Sequence, residues 1–151
     1  MSFHPLHTVT SICITILLSC TNQKIETGQT LKKETTDLIR SLGLLNEGEQ
    51  IIQYYSNYKP SRAGSFFTTK RIAHYWLDDN DKSKNDTSSA FYPEIAAIDT
   101  TYAVRDTYAQ YMTITKKDSS QFNLYVDGKK HEVRSFFEEA ILTWKKNINK
   151  E

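Results

Sequence analysis

The hydrophobic positions of this 151-residue chain fall into three patterns, and each predicts a different kind of element. The first is a dense apolar run, Val9–Leu18, inside a stretch from Met1 to Ser19 that holds no Asp, Glu, Lys or Arg. At about 1.5 Å per residue such a run reaches only half of a roughly 30 Å hydrocarbon layer, so it predicts the apolar segment of a signal peptide and not a spanning helix. A polar stretch, Thr21 to Thr30, follows and predicts a tether. The second pattern is helical: Leu31, Thr35, Leu38, Leu42 and Leu45 recur at spacings of three and four, with Ile39 widening the stripe, which predicts an amphipathic helix from Leu31 to Leu45 ended by Gly43 or by Asn46–Gly48.

The third pattern has period two and runs from Glu49 to Asp127. It predicts strands at Gln50–Tyr58, Ser65–Thr68, Arg71–Leu77 and Phe91–Ile98, the last with Pro93 marking an edge or a bulge. The loops between them are Lys59–Gly64 and a polar, acidic Asp78–Ser89. Tyr111–Thr115 and Gln121–Val126 predict a hairpin that turns Met112, Ile114, Phe122, Leu124 and Val126 to one core face. Helical spacing then returns. Val133, Phe136, Phe137, Ala140, Ile141, Trp144 and Ile148 form a broad stripe that predicts a helix from about Lys130 to Asn149 lying as a lid on the sheet.

Composition narrows the function classes. With 25% charged and 38% hydrophobic residues the chain is that of one globular domain, and five Gly and three Pro exclude linker-like or collagen-like chains. A net charge of +1 gives no overall field for a polyanion, so nucleic acid is not an expected partner.

The apolar run ends in Leu17-Leu18-Ser19-Cys20, which resembles the lipobox of bacterial lipoproteins. What the resemblance implies is a signal peptide at residues 1–19 cut after Ser19, a diacylglycerol thioether on the Cys20 sulfur, an acylated new amine, and a tether over residues 20–30. The remaining Cys13 would leave with the signal peptide, so a thiol enzyme is excluded on this reading. The implied location is the cell envelope, held by two or three acyl chains. Thr21 after the Cys, where Asp would retain the protein, implies the outer membrane in a Gram-negative cell.

The order helix, G-E-Q-I-I, F-F-T-T-K-R-I-A-H-Y-W, F-Y-P-E-I-A-A-I, Y-M-T-I-T-K-K-D-S-S-Q-F-N-L-Y-V and closing helix is similar to the bacterial pleckstrin-homology-like and GRAM-like domains. Phe67–Ile72 resembles that family's L-T-x-K-R-I/L strand-turn, and Glu94, Ile95 and Ile98 resemble its I-x-x-x-E-I-x-x-I strand. The resemblance implies an α+β fold for residues 31–149: a strongly bent antiparallel sheet or partly open barrel with a C-terminal capping helix, preceded by the N-terminal helix. It implies a scaffold and carries no chemistry over. Lipid-binding members use basic residues around the first strand loop, so Lys59, Arg62, Lys70 and Arg71 form a candidate anion patch.

Residues for catalysis are sparse. His74 and His131 are the only histidines after Cys20, and no metal-ligand spacing occurs, so neither metal nor cofactor is expected. Asp79, Asp81 and Ser83 alternate as in a calcium loop, but Lys84 stands where the turn needs Gly and Ala90 where the bidentate Glu belongs. Tyr102, Arg105, Tyr108 and Tyr111 are a candidate partner surface, because amphipathic aromatics and Arg are enriched at interfaces. The leading expectation is a membrane-anchored, non-enzymatic lipoprotein whose domain binds a protein, peptide or lipid headgroup in the envelope. The alternatives are a small envelope hydrolase using His74 or His131 with a carboxylate, and an orphan structural domain.

Overall fold

The alternating runs pair into two antiparallel sheets. In the computed structural model, which describes residues 25–102 and 110–148, the first sheet has the order β1 (Glu26–Thr27), β2 (Ile51–Tyr55), β3 (Ala63–Thr68), β4 (Arg71–Trp76), β5 (Asp86–Phe91). The second has the order β6 (Ile95–Thr101), β7 (Tyr111–Lys116), β8 (Gln121–Tyr125). Helix α1 (Lys33–Ser41) lies between β1 and β2, and α2 (Lys130–Ile148) follows β8.

Because successive side chains of a strand point to opposite faces, a strand covered on both sides must be apolar or small throughout. That is the situation of β3, buried at all six positions. On one face of its sheet Tyr54, Phe66, Ala73 and Tyr75 pack against Ile39, Leu44 and Leu45 from α1 and the turn after it. On the other face Tyr55, Phe67, Ile72 and Ala90 meet Met112, Ile114, Phe122, Leu124 and Val126 of the second sheet and its end. Phe67, Ile72 and Ala90 are direct cross-strand neighbours, which fixes the register of that face.

Helix α2 closes one end of this second core with Val133, Phe136, Phe137 and Ala140, all fully buried, Phe136 meeting Phe67 edge to face at 5.1 Å. Burial of Val133 and the two Phe side chains is worth about 1.5–3 kcal/mol each, so α2 is integral to the fold. The later part of its stripe is shallower: Trp144 is half-buried and Ile148 is exposed.

Four boundaries differ from expectation, each for a local reason. The expected tether contains β1, which pairs with Tyr54 and Gln53 of β2, so the ordered domain begins before Leu31. Helix α1 stops at Ser41, not Leu45, because Gly43 takes φ of 74° and sends its N–H to the Arg40 carbonyl while Leu44 N–H bonds the Ile39 carbonyl. This is a Schellman turn, and it swings Leu44 and Leu45 into the core. The loop after β4 is shorter than Asp78–Ser89, since polar Asp86–Ser89 belongs to β5: the open edge of β4 supplies hydrogen bonds that outweigh weak strand propensity. The run Phe91–Ile98 is broken at Pro93, where Tyr92–Glu94 form one 3₁₀ turn that passes the chain between sheets.

Candidate functional site

Opposite chemistry occupies the two ends of β4. Its first residue, Arg71, is 3% exposed and grips Glu49 through two hydrogen bonds, Nε to Oε1 at 2.9 Å and Nη2 to Oε2 at 2.8 Å. Thr68 Oγ1 donates to Glu49 Oε1 at 2.6 Å, the Asn46 amide to Oε2 at 3.0 Å, and Arg71 Nη1 to the Gly43 carbonyl at 3.3 Å. The guanidinium also stands 4.0 Å from the Phe91 ring centroid. Burial by itself would raise the Glu49 pKa, but the hydrogen bonds from Arg71, Thr68 and Asn46 and the Arg71 charge outweigh it and hold the carboxyl below its usual range. Every strong bond here is already made.

The other end of β4 is open. Ala63, Trp76 and Asp86 form one cross-strand row, and Ser65, His74 and Ser88 the next row on the same face. These rows face the seam with β8, where a cavity of about 250 Å³ is lined by Tyr55, Ser65, His74, Trp76, Asp86 and Tyr125, among others. His74 stacks on Phe122 with centroids 5.6 Å apart, and its Nε2 lies 3.6 Å from Asp86 Oδ2. Burial drives the imidazole pKa below its usual range, with Asp86 pulling the other way, so the ring is neutral at pH 7. Deeper in, the Tyr55 hydroxyl is buried near the Asp127 backbone without hydrogen-bond geometry to any partner, and burial pushes its pKa up to about 12.

Two exposed aromatics, Trp76 and Tyr125, line this mouth, and a third, Tyr58, stands beside it against Trp76. Tyr58 is 51% exposed, Trp76 42% and Tyr125 46%; Tyr58 and Trp76 pair at 6.2 Å, and the Lys59 ammonium stands 5.5 Å from the Tyr58 ring centroid. Large exposed aromatics gathered at one cavity are what a recognition surface requires. Among the described residues, His74 is paired with the Asp86 carboxylate and with no side-chain hydroxyl. The same residues include no cluster of three or more His, Cys, Asp or Glu able to hold a metal, and no helix long and apolar enough to cross a membrane.

The four basic candidates do not make one patch. Lys59 and Arg62 precede β3 at the mouth, whereas Lys70 and Arg71 follow it, across six strand residues or about 20 Å at some 3.3 Å each. Arg62 is paired with Asp79 and Arg71 with Glu49, which leaves Lys59 and Lys70 exposed but far apart. The aromatic candidates divide as well. Tyr102 lies against Phe137 at 5.6 Å with the Arg134 guanidinium 5.6 Å from its ring centroid, on the core side of the second sheet. Tyr111 pairs with Tyr125 at 5.5 Å on the outer side. Arg105, Tyr108 and Cys20 lie outside the described residues, and His131 is exposed in the first turn of α2. Sequence reasoning passed over Trp76, Asp86 and Tyr125, whose proximity depends on pairing register; the available signal was that Trp76 and Tyr125 occupy outward or terminal strand positions instead of core ones.

A three-stranded sheet packed on a longer, bent one, with a C-terminal helix stopping one end and a cavity at the other, decides the fold. It is pleckstrin-homology-like. A DUF1696 family protein with a pleckstrin-homology domain from Shewanella loihica PV-4 superposes with a TM-score of 0.51 at 18% identity, covering 73% of this chain and 92% of its own. A pleckstrin homology domain from Shewanella amazonensis SB2B gives a TM-score of 0.47 at 14% identity, covering 70% and 96%. No protein-family model and no curated protein matches the sequence. In this pleckstrin-homology-like frame α1 packs on the outer face of the first sheet, and β1 extends the edge of that sheet beside β2.

Proposed function

We propose that the protein is a lipid-anchored, non-enzymatic binding module of the bacterial cell envelope that captures a polypeptide at the mouth between its two sheets. The observation that carries this reading is that exposed Trp76 and Tyr125 line one cavity, with exposed Tyr58 paired to Trp76 beside it. A phosphorylated lipid headgroup is the weaker fit, because Arg62 and Arg71 are committed to Asp79 and Glu49. The anchor reading rests on Leu17-Leu18-Ser19-Cys20. Ile25 is five residue steps from Cys20, and at about 3.3–3.6 Å per residue a lipidated Cys20 would keep the domain within roughly 18 Å of the membrane surface.

The test is photo-cross-linking in intact cells from position 76 or 125, beside the intact mass of the membrane-extracted protein. The reading expects a defined adduct from both positions and a mass equal to residues 20–151 plus acyl chains, lost on Cys20→Ser. An unlipidated full-length mass would end the anchor, and no adduct from either position would end the mouth. The hydrolase alternative draws on the His74–Asp86 proximity, and any hydrolytic activity that survives His74→Ala removes it.

A further inference from the structure

Asp86 places a negative charge at the mouth, and among the described residues no Lys or Arg forms an ion pair with it. It is mostly exposed at the cavity rim, its carboxylate is 3.6 Å from His74, and that imidazole is neutral at pH 7 because it is buried against Phe122. The two cations nearby are engaged elsewhere, Arg62 with Asp79 and Lys59 over Tyr58. Directly across the strand pair from Asp86 stands Trp76, and Tyr125 closes the cavity from the second sheet. A carboxylate beside exposed aromatic faces attracts a cation twice, through its charge and through the ring quadrupoles. Beside the rim, the Lys59 ammonium stands 5.5 Å from the ring centroid of Tyr58, the partner of Trp76. Within the cavity lining, Ser65 stands in the same cross-strand row as His74 and offers a hydroxyl for hydrogen bonding.

From this arrangement we infer that the mouth recognises a basic side chain, lysine or arginine, presented by the polypeptide partner. The alkyl stem lies against Trp76 and Tyr125, and the charged head reaches the Asp86 carboxylate. A cavity of about 250 Å³ admits one side chain and excludes a folded element. The inference rests on the binding-module reading above and adds the chemistry that the module selects.

The experiment is an NMR titration of the domain, following the Trp76 indole N–H, with acetyl-Gly-Lys-Gly-amide, its norleucine counterpart and n-butylammonium. The expected result is a saturable shift with the lysine peptide, binding about tenfold weaker for the norleucine peptide, and a similar loss for Asp86→Asn against the lysine peptide. Asp86 is exposed, so that variant keeps its fold, and an unchanged melting curve verifies this. Equal binding of the norleucine peptide, or unchanged binding by Asp86→Asn, overturns the inference. Butylammonium binding as tightly as the peptide would make the ligand a free amine and overturn the polypeptide part. If no probe shifts the indole while cross-linking from position 76 yields its adduct, the basic side chain falls and the binding module stands; if both fail, both fall.

Discussion

The two acid–base pairs anchored on β4, through Arg71 and through His74 three positions later, teach opposite lessons about polar groups in a small domain. Arg71 and Glu49 form a closed account: both are buried, the carboxylate accepts four hydrogen bonds, and the remaining guanidinium edge meets a carbonyl and an aromatic face. Such a network specifies structure and has nothing left for a ligand. His74 and Asp86 are the reverse. Their 3.6 Å separation is longer than a hydrogen bond, one partner is neutral, and the cavity between them and Tyr125 is open. Burial with complete bonding marks a residue the fold needs, and incomplete bonding at an opening marks one that remains available.

The strongest test of that contrast is to break the closed pair. Arg71→Ala leaves the Glu49 carboxylate buried without its cation, which should cost about 3–5 kcal/mol in chemical denaturation. Glu49→Gln should cost a comparable amount, and the double variant should cost less than the two singles combined, since the charges are lost together. Singles that each cost below about 1 kcal/mol would mean that the pair does not hold the α1 turn to the strands.

Acid provides the next test. The folded Glu49 pKa is depressed, so its contribution is complete above the unfolded carboxylate value near 4.3 and is lost as pH falls through the lower folded value. Stability should therefore decline below about pH 4.5, and Glu49→Gln should remove part of that slope. An unchanged slope in the variant would contradict the depression.

Much of the closed region was readable from the chain, and much of the open one was not. The hairpin core positions Met112, Ile114, Phe122, Leu124 and Val126 follow from strict alternation, and all are buried. The α2 stripe and the stop at Gly43 follow from helical spacing and glycine's tolerance of positive φ. By contrast, β5 reads as loop because its residues are polar, and only the vacant edge of β4 makes it a strand. The mouth then depends on that pairing, since Trp76 faces Asp86 solely because of the β4–β5 register. Arg71 looked like a surface cation in K-R-I, and nothing local announced that Glu49, 22 residues earlier, would enclose it.

At the open pair the expected effects on stability are smaller. The folded His74 pKa is lowered by burial, so the unfolded chain binds the proton more readily; the contribution is complete above about 6.5 and fades as pH drops toward the folded value. His74→Gln should flatten the fall in stability below about pH 6.5, read as melting temperature against pH. A slope of the opposite sign would place the ring in a site that favours its charged form.

The smallest change in stability should come from Asp86→Asn, because an exposed carboxylate 3.6 Å from a neutral ring contributes under about 1 kcal/mol. Its informative signal is the His74 titration. Asp86 is the group that raises the imidazole pKa against burial, so its removal should move the His74 midpoint further down while leaving the melting temperature nearly fixed. The same substitution is the one that should weaken a basic peptide about tenfold. A residue with little effect on the fold, a clear effect on its neighbour's charge and a large effect on binding is what an uncommitted carboxylate at an opening must be; a drop in stability as large as that of Arg71→Ala would make Asp86 a structural partner instead.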